Sequence, residues 1–173
     1  ANATDDGSPS HGSLAVARSI LSYGFLWGEI RVKGGAYGAG FVRRKNGTAG
    51  FYTYRDPDAK RSVETFAKSG DFLRAFAESG EDYTGFIIGA IGDSDLLVTP
   101  KVLSAMTIAS FISGETYEDK KARRLEMLNT SKEDLLKCAD TVDRIVECGG
   151  AVVLGGKEKL DAFGDAFDRV IEI

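Results

Sequence analysis

The fold of this chain is decided by the stretch FLWGEIRVKGGAYGAGF, residues 25–41. It is typical of the end of a buried helix, followed by a glycine hinge and the first residues of a strand. Apolar residues recur at helical spacing from Leu14, and the pattern stops at Gly34-Gly35, where glycine can take the left-handed conformation of a helix end. Arg31 and Tyr37 lie on either side of this hinge, which makes them the candidate functional side chains.

Strands and helices are predicted on both sides of the hinge, in an order that indicates the fold class. Aromatic residues favour two strands, Ala36–Arg44 and Thr48–Tyr54, and Asn46-Gly47 between them favours a type I′ hairpin turn. Further helices are predicted over Ala59–Ser79, Glu81–Gly92, Pro100–Gly114, Tyr117–Asn129 and Lys157–Phe163. The first of them can bend or break at Gly70-Asp71, and another helix is predicted to begin at a capping box, Thr130–Glu133, and to end at Gly149-Gly150. Short strands are predicted over Ala151–Leu154 and Arg169–Ile173.

This order predicts an α+β fold, a mostly antiparallel β-sheet with helices packed on one face. Residues 1–12 are small and polar, and are expected to form a flexible lead-in. Residues 13–173 are expected to form a single domain. Because the chain begins at Ala1 rather than at Met, we expect it to be a piece of a longer polypeptide.

The composition excludes several classes of protein. Hydrophobic residues make up 43% and charged residues 28%, as in an ordinary globular domain, and the net charge of −4 disfavours nucleic acid or an anionic membrane as partner. No apolar run approaches the roughly 20 residues that cross a bilayer. Cys138 and Cys148 do not indicate a disulfide framework, so a reducing, cytoplasmic compartment is predicted.

The sequence also lacks the residues of the common hydrolase sites. His11 is the only histidine and lies in the predicted lead-in, where we expect it to be an exposed loop residue. A catalytic zinc site takes several His or Cys ligands, often with a carboxylate, so no metal site is predicted in this chain. With one histidine, and no cysteine beside a base, the sequence also gives little support to Ser-His or Cys-His nucleophilic catalysis.

The glycines around Arg31 and Tyr37 admit two interpretations once phosphate binding is set aside. A dinucleotide-binding loop runs from strand to helix, whereas this segment runs from helix to strand. In one interpretation Arg31 satisfies carbonyls at its own helix end and Tyr37 is a strand aromatic. In the other, missing side chains let a peptide backbone approach along Gly34, Gly35, Ala36 and Gly38, while Arg31 and Tyr37 donate to a carbonyl oxygen and to the oxyanion formed from it.

Four segments together resemble a known family of peptidases. They are residues 25–38, the segment FYTYRDP at 51–57, IGAIGD at 88–93 and SGET at 113–116. They are similar to the C-terminal half of the insulinase-type (pitrilysin family) metallopeptidases, in the presequence protease-like branch. The resemblance extends from about residue 12 to about residue 163, and it implies the LuxS/MPP-like metallohydrolase fold.

The resemblance also implies a function that this chain performs only with a partner. In that family zinc and an inverted His-x-x-Glu-His motif lie in the N-terminal half, and the C-terminal half lends an arginine and a tyrosine, which map onto Arg31 and Tyr37. These residues would bind an unstructured peptide and stabilise the tetrahedral intermediate at the zinc. The expected partners are therefore the zinc-bearing N-terminal half and peptide substrates, with no cofactor in this chain, which should be inactive alone.

Two alternatives stay open at this stage. The chain can be a non-catalytic, insulinase-like structural or peptide-binding subunit whose zinc partner is also degenerate. It can also be an unrelated binding domain, in which case the helix-to-strand corner around Gly34-Gly35 should be missing.

Overall fold

The computed structural model describes residues 10–44, 48–95, 97–161, 163 and 168–171. Two strands, β1 (Gly38–Arg43) and β2 (Ala49–Tyr54), follow a long N-terminal helix. That helix consists of α1 (His11–Ser19) and a π-helical segment (Ile20–Val32). The other helices are α2 (Ala59–Ala67), α3 (Ser69–Ser79), α4 (Thr84–Ser94), α5 (Pro100–Ser113), α6 (Tyr117–Leu128), α7 (Lys132–Cys148) and α8 (Lys157–Asp161).

The N-terminal helix is the centre of the core, as its apolar pattern predicts. The hydroxyl of Ser10 caps it by accepting a hydrogen bond from the Ser13 amide at 3.1 Å. Of the predicted lead-in, residues 1–9 lie outside the described part, while His11 and Gly12 belong to α1. The buried apolar residues of the helix are Leu14, Val16, Ala17, Ile20, Leu21, Leu26 and Ile30.

The second part of this helix is wider than an α-helix. Its hydrogen bonds reach five residues back, as between the Lys33 amide and the Gly28 carbonyl at 3.0 Å, and the segment runs for 13 residues. π-Helical turns are rare, usually single, and often lie at functional sites. The helix ends at Val32 and its C-cap is Lys33, directly before Gly34-Gly35, which confirms the predicted position of the hinge.

The hairpin packs on this helix through one aromatic side chain. β1 and β2 are antiparallel, with Phe41 opposite Phe51 and their rings 4.9 Å apart. Phe41 is only 1% exposed, and its amide donates to the hydroxyl of Ser22 at 3.2 Å. Phe51 stacks in turn on Phe66 of α2 at 4.8 Å. The predicted turn at Asn46-Gly47 lies outside the described residues.

α3 and α7 form a close helix pair beside the N-terminal helix. Arg74 of α3 donates to Asp140 at 2.8 Å and also to Asp143, both on α7, and these hydrogen bonds raise the pKa of Arg74. A Cβ at Gly70 would overlap the Asp143 carboxylate, so glycine allows the close approach of the two helices. Cys138 of α7 is fully buried, and burial raises the pKa of its thiol to about 12.

The predicted fold class is wrong. The protein is mostly helical, and the only sheet among the described residues is the two-stranded hairpin, not a mostly antiparallel sheet with helices on one face. The predicted strand Ala151–Leu154 has no regular secondary structure, and Val152 is 95% exposed. An apolar run becomes a strand only where a neighbouring strand accepts its backbone hydrogen bonds, and that pairing is not encoded locally. Residues 168–171 are likewise irregular, and 172–173 lie outside the described residues.

Two helix boundaries also differ from the predicted ones. The long helix over 59–79 breaks at Lys68, between α2 and α3, rather than at Gly70-Asp71. The capping box of α7 is formed by Ser131 and Asp134 rather than by the predicted Thr130 and Glu133. The Ser131 hydroxyl accepts a hydrogen bond from the Asp134 amide at 3.2 Å. The Thr130 hydroxyl instead donates to the Glu126 carbonyl at 2.9 Å. No described helix is both long and apolar enough to cross a membrane.

Candidate functional site

The corner between the N-terminal helix and β1 is shaped by two glycines. Gly35 takes a left-handed conformation, with φ of 78°, and its amide donates to the Arg31 carbonyl at 3.0 Å. The Ala36 amide donates to the Ile30 carbonyl at 3.1 Å, which closes the helix end. A Cβ at Gly34 would lie 2.5 Å from the same Ile30 oxygen, which is closer than real contacts allow. Both glycines are therefore required by the turn itself.

Arg31 is a half-buried residue of the π-helical segment and lies over an aromatic ring. Its guanidinium carbon is 3.9 Å from the centroid of the Trp27 ring, which is close enough for a cation–π contact. Tyr23 continues the row, with its ring 6.4 Å from that of Trp27. The helix-end role considered for Arg31 is filled by Arg61, whose guanidinium donates to the Lys33 carbonyl at 3.3 Å. Arg31 is thus half-buried and held against the ring of Trp27.

Tyr37 lies after the corner and is fixed by its backbone and by its ring. Its amide donates to the Tyr54 carbonyl at 3.1 Å, and its ring meets that of Tyr54 edge to face at 5.9 Å. The guanidinium carbon of Arg55 is 5.8 Å from the Tyr37 ring and 5.5 Å from the Tyr54 ring. Tyr37 is nevertheless 65% exposed. The Tyr37 side chain is therefore exposed to solvent while its backbone and ring are held in place.

Arg55 has an unusual backbone conformation. Among the described residues it is the only one other than glycine with a positive φ, 49°. This left-handed conformation is costly for a residue with a Cβ, and such strain clusters at functional sites. It follows β2 directly and brings the guanidinium of Arg55 to the rings of Tyr37 and Tyr54.

The four positions predicted to face a substrate backbone differ in character. Gly34 and Gly35 are explained by the turn, and the side chain of Ala36 is buried in the core. Gly38 has room for a side chain, because a Cβ there would meet only the Tyr54 Cβ at 4.0 Å. Packing within the domain therefore does not require glycine at position 38. Contact of these residues with a peptide stays a prediction.

Sequence reasoning missed Trp27, Tyr54 and Arg55 as partners of the two candidate side chains. A signal for Trp27 was present, since it precedes Arg31 by four residues and lies on the same helix face. Arg55 gave no such signal, because a non-glycine residue with positive φ has no distinctive sequence pattern.

Metal-binding chemistry is not found in the described part of the chain, where no three His, Cys, Asp or Glu side chains are grouped to hold an ion. His11 is exposed, but it is the first residue of α1 rather than a loop residue, and its ring contacts Arg43. Burial and the neighbouring Arg123 lower the pKa of Arg43. This basic pair lies at the end of β1 that is remote from Tyr37.

The left-handed turn gives a first prediction. Gly35→Ala should lower the free energy of unfolding by about 1–2 kcal/mol, because an L-residue is disfavoured at φ of 78°. Gly50→Ala is the matched control, since a Cβ there meets nothing within 4 Å. Urea unfolding of both variants measures the difference. Equal midpoints for the two variants would show that the turn does not need a left-handed residue.

The fold and the corner define a mainly helical domain in which a half-buried arginine and an exposed tyrosine flank one glycine turn. The profile of a known family, described as the PreP C-terminal domain, matches residues 2–156. The chain therefore belongs to that family, and the resemblance to presequence proteases is confirmed.

Individual relatives agree with this assignment. The chain is 32% identical over 164 residues to presequence protease 1, chloroplastic/mitochondrial, of Arabidopsis thaliana, which covers 94% of this chain and 15% of the relative. It is 31% identical over 159 residues to protein HypA of Clostridium perfringens, covering 92% and 16%. It is 30% identical over 154 residues to the mitochondrial presequence protease of Xenopus laevis, covering 87% and 14%. The chain thus spans about one seventh of the length of these relatives.

Proposed function

We propose that this chain is the zinc-free C-terminal domain of a presequence protease-like peptidase, and that it supplies Arg31 and Tyr37 to a peptide substrate. The observation that carries the proposal is the placement of these two side chains. They flank the same glycine turn, Arg31 half-buried and Tyr37 exposed, and each contacts an aromatic ring, that of Trp27 or of Tyr54. Family membership supports it, because presequence proteases are among the relatives.

The two side chains suit a reaction in which charge develops on a carbonyl oxygen. The guanidinium of Arg31 offers several N–H donors, and the phenol of Tyr37 offers one O–H donor. Donors that are already in position stabilise an oxyanion more than they stabilise the neutral carbonyl, and this difference lowers the barrier. The cation–π contact of Arg31 with Trp27 and the edge-to-face contact of Tyr37 with Tyr54 hold both side chains before substrate arrives.

An extended peptide is the substrate that this surface suits best. Gly38 begins β1 beside Tyr37 and has no side chain, so another backbone can approach there. A folded protein would not present its backbone in this way. We therefore propose unstructured peptides as the substrate class.

The zinc that this mechanism requires is proposed to be held by the remainder of the longer polypeptide, where it would polarise the peptide carbonyl. The described residues of this chain do not fit it, since they contain no suitable group of ligands. This chain alone should not hydrolyse peptides. In the alternative, a non-catalytic peptide-binding subunit, this chain has the same peptide-binding surface, but the rest of the polypeptide holds no zinc. A His-x-x-Glu-His segment encoded upstream, with zinc in the purified longer polypeptide, distinguishes the two.

Arg31→Lys in the longer polypeptide tests the arginine. Lysine keeps the charge but loses the planar fork and the stacking on Trp27, so kcat/KM for an unstructured peptide should fall about 10- to 100-fold. Arg124→Lys is the matched control. Arg124 lies on α6 and makes an exposed ion pair with Asp95, the C-cap of α4, rather than with a residue of the corner. Zinc content should be unchanged in both variants. A kcat/KM within twofold of the unmodified value for Arg31→Lys would remove Arg31 from the proposed site.

A further inference from the structure

Helix α5 is formed by its own sequence rather than by packing. Thr99 caps its start, with the hydroxyl accepting from the Val102 amide at 3.5 Å, and Pro100 occupies the first turn. Gly114 ends the helix in a left-handed conformation, with φ of 70°. Both ends of α5 are thus specified locally.

The sides of α5 are apolar and exposed. Ser110 is its only buried residue, and Lys101 is its only charged one. A helix with apolar side chains on two opposite sides is normally enclosed by protein, and a large exposed apolar patch marks an interaction site. The exposed apolar residues are Val102, Leu103, Met106, Ile108, Phe111 and Ile112, of which Phe111 is 87% exposed.

These side chains form two stripes on opposite sides of the helix. At 3.6 residues per turn, Val102, Leu103 and Met106 share one side, and Ile108, Phe111 and Ile112 share the other. A single partner helix covers one stripe only. Covering both requires a cleft.

A polar contact at one end fixes α5 to the rest of the domain. The Ser110 hydroxyl donates to a carboxylate oxygen of Glu115 at 3.1 Å, and Arg123 of α6 donates to the other oxygen at 2.6 Å. The Glu115 amide donates to the Ser110 carbonyl at 2.9 Å. This anchor sets the direction of α5 while both stripes stay accessible.

We infer that α5 inserts into an apolar cleft on another part of the longer polypeptide and so joins this domain to it. The family match over residues 2–156 includes α5, so the helix belongs to the domain. In the relatives, the aligned region makes up only 14–16% of the polypeptide. The rest is covalently linked to it, so its effective concentration near the aligned domain is high. A symmetric pair with a second copy would bury one stripe and leave the other exposed. The inference rests on the longer polypeptide of the proposed function, but it does not depend on Arg31 or Tyr37.

Hydrogen exchange of the α5 amides tests it, in the isolated 173-residue chain and in the longer polypeptide. The amides of α5 should exchange at least about 100-fold more slowly in the longer polypeptide, because burying both stripes opposes local unfolding. The double variant Phe111→Asp/Ile112→Asp should abolish that protection and lower the unfolding midpoint of the longer polypeptide only. Val170→Asp/Ile171→Asp is the matched control, since both residues are exposed and lie outside the family match.

Three results would overturn the inference. The first is equal exchange of α5 in the two unmodified proteins, a comparison that holds even if the double variant fails to fold. The second is protection in the isolated chain that rises with its concentration and is lost in Phe111→Asp/Ile112→Asp, which assigns the surface to a second copy. The third is protection that appears only with phosphatidylcholine vesicles, which assigns it to a lipid surface.

Discussion

Tyr37→Phe should slow peptide cleavage by the longer polypeptide by about 10²–10³-fold, the usual effect of removing one oxyanion donor. The substitution deletes only the phenolic hydroxyl. The ring remains available for its contacts with Tyr54 and Arg55, and the backbone hydrogen bond of residue 37 to the Tyr54 carbonyl is untouched. The loss should therefore appear in kcat, with little change in KM, because the donor acts on charge that develops only in the transition state.

Tyr117→Phe is the control for this experiment, because Tyr117 is also an exposed tyrosine but lies at the start of α6. It should leave turnover unchanged. Both variants should unfold at the same temperature as the unmodified protein and contain the same amount of zinc. If Tyr37→Phe cleaves at the unmodified rate, the hydroxyl is not an oxyanion donor and the proposed role of Tyr37 is lost.

Phe41→Ala should lower the free energy of unfolding of the chain by about 3–5 kcal/mol. Phe41 is 1% exposed and lies between the N-terminal helix and Phe51, so its removal leaves a cavity where β1 meets the core. Because domains are typically stable by only about 5–15 kcal/mol, part of the variant should be unfolded in water. The corner depends on this contact, since β1 begins directly after Tyr37.

Val42→Ala separates this effect from a general weakening of the strand. Val42 is the next residue of β1 and faces outward, so its truncation should change stability by about 0.5 kcal/mol or less. Urea unfolding gives both values, provided that the slope of the transition is unchanged. A loss below 1 kcal/mol for Phe41→Ala would show that the hairpin is not anchored through this ring.

The sequence predicted the N-terminal helix and the hairpin because their signals are local. The apolar period from Leu14, the paired glycines at 34 and 35 and the aromatic strands each act within a few residues. The sheet was predicted wrongly because strand pairing is a property of distant segments. Ala151–Leu154 has the composition of a strand, but in this structure no described strand pairs with it. The π-helical hydrogen bonds of residues 20–32 also leave no mark in the sequence pattern.

The candidate site was predicted in part. Arg31 and Tyr37 were selected from their position around the glycines and from a family resemblance, and the family is confirmed. Their roles stay predictions. The structure confirms the left-handed helix end predicted at the glycines 34 and 35, and their contact with a substrate stays a prediction. The contact of Arg55 with Tyr37 was not foreseeable, because it depends on a strained backbone conformation.

The most direct test of the account is a complementation assay on peptide cleavage. The remainder of the longer polypeptide, without this domain, is assayed with an unstructured peptide before and after addition of the 173-residue chain. We predict cleavage only after addition, and none above background when the added chain carries Arg31→Ala and Tyr37→Phe. Full activity of the remainder alone, or equal restoration by the double variant, would contradict the claim that this domain completes the peptidase site.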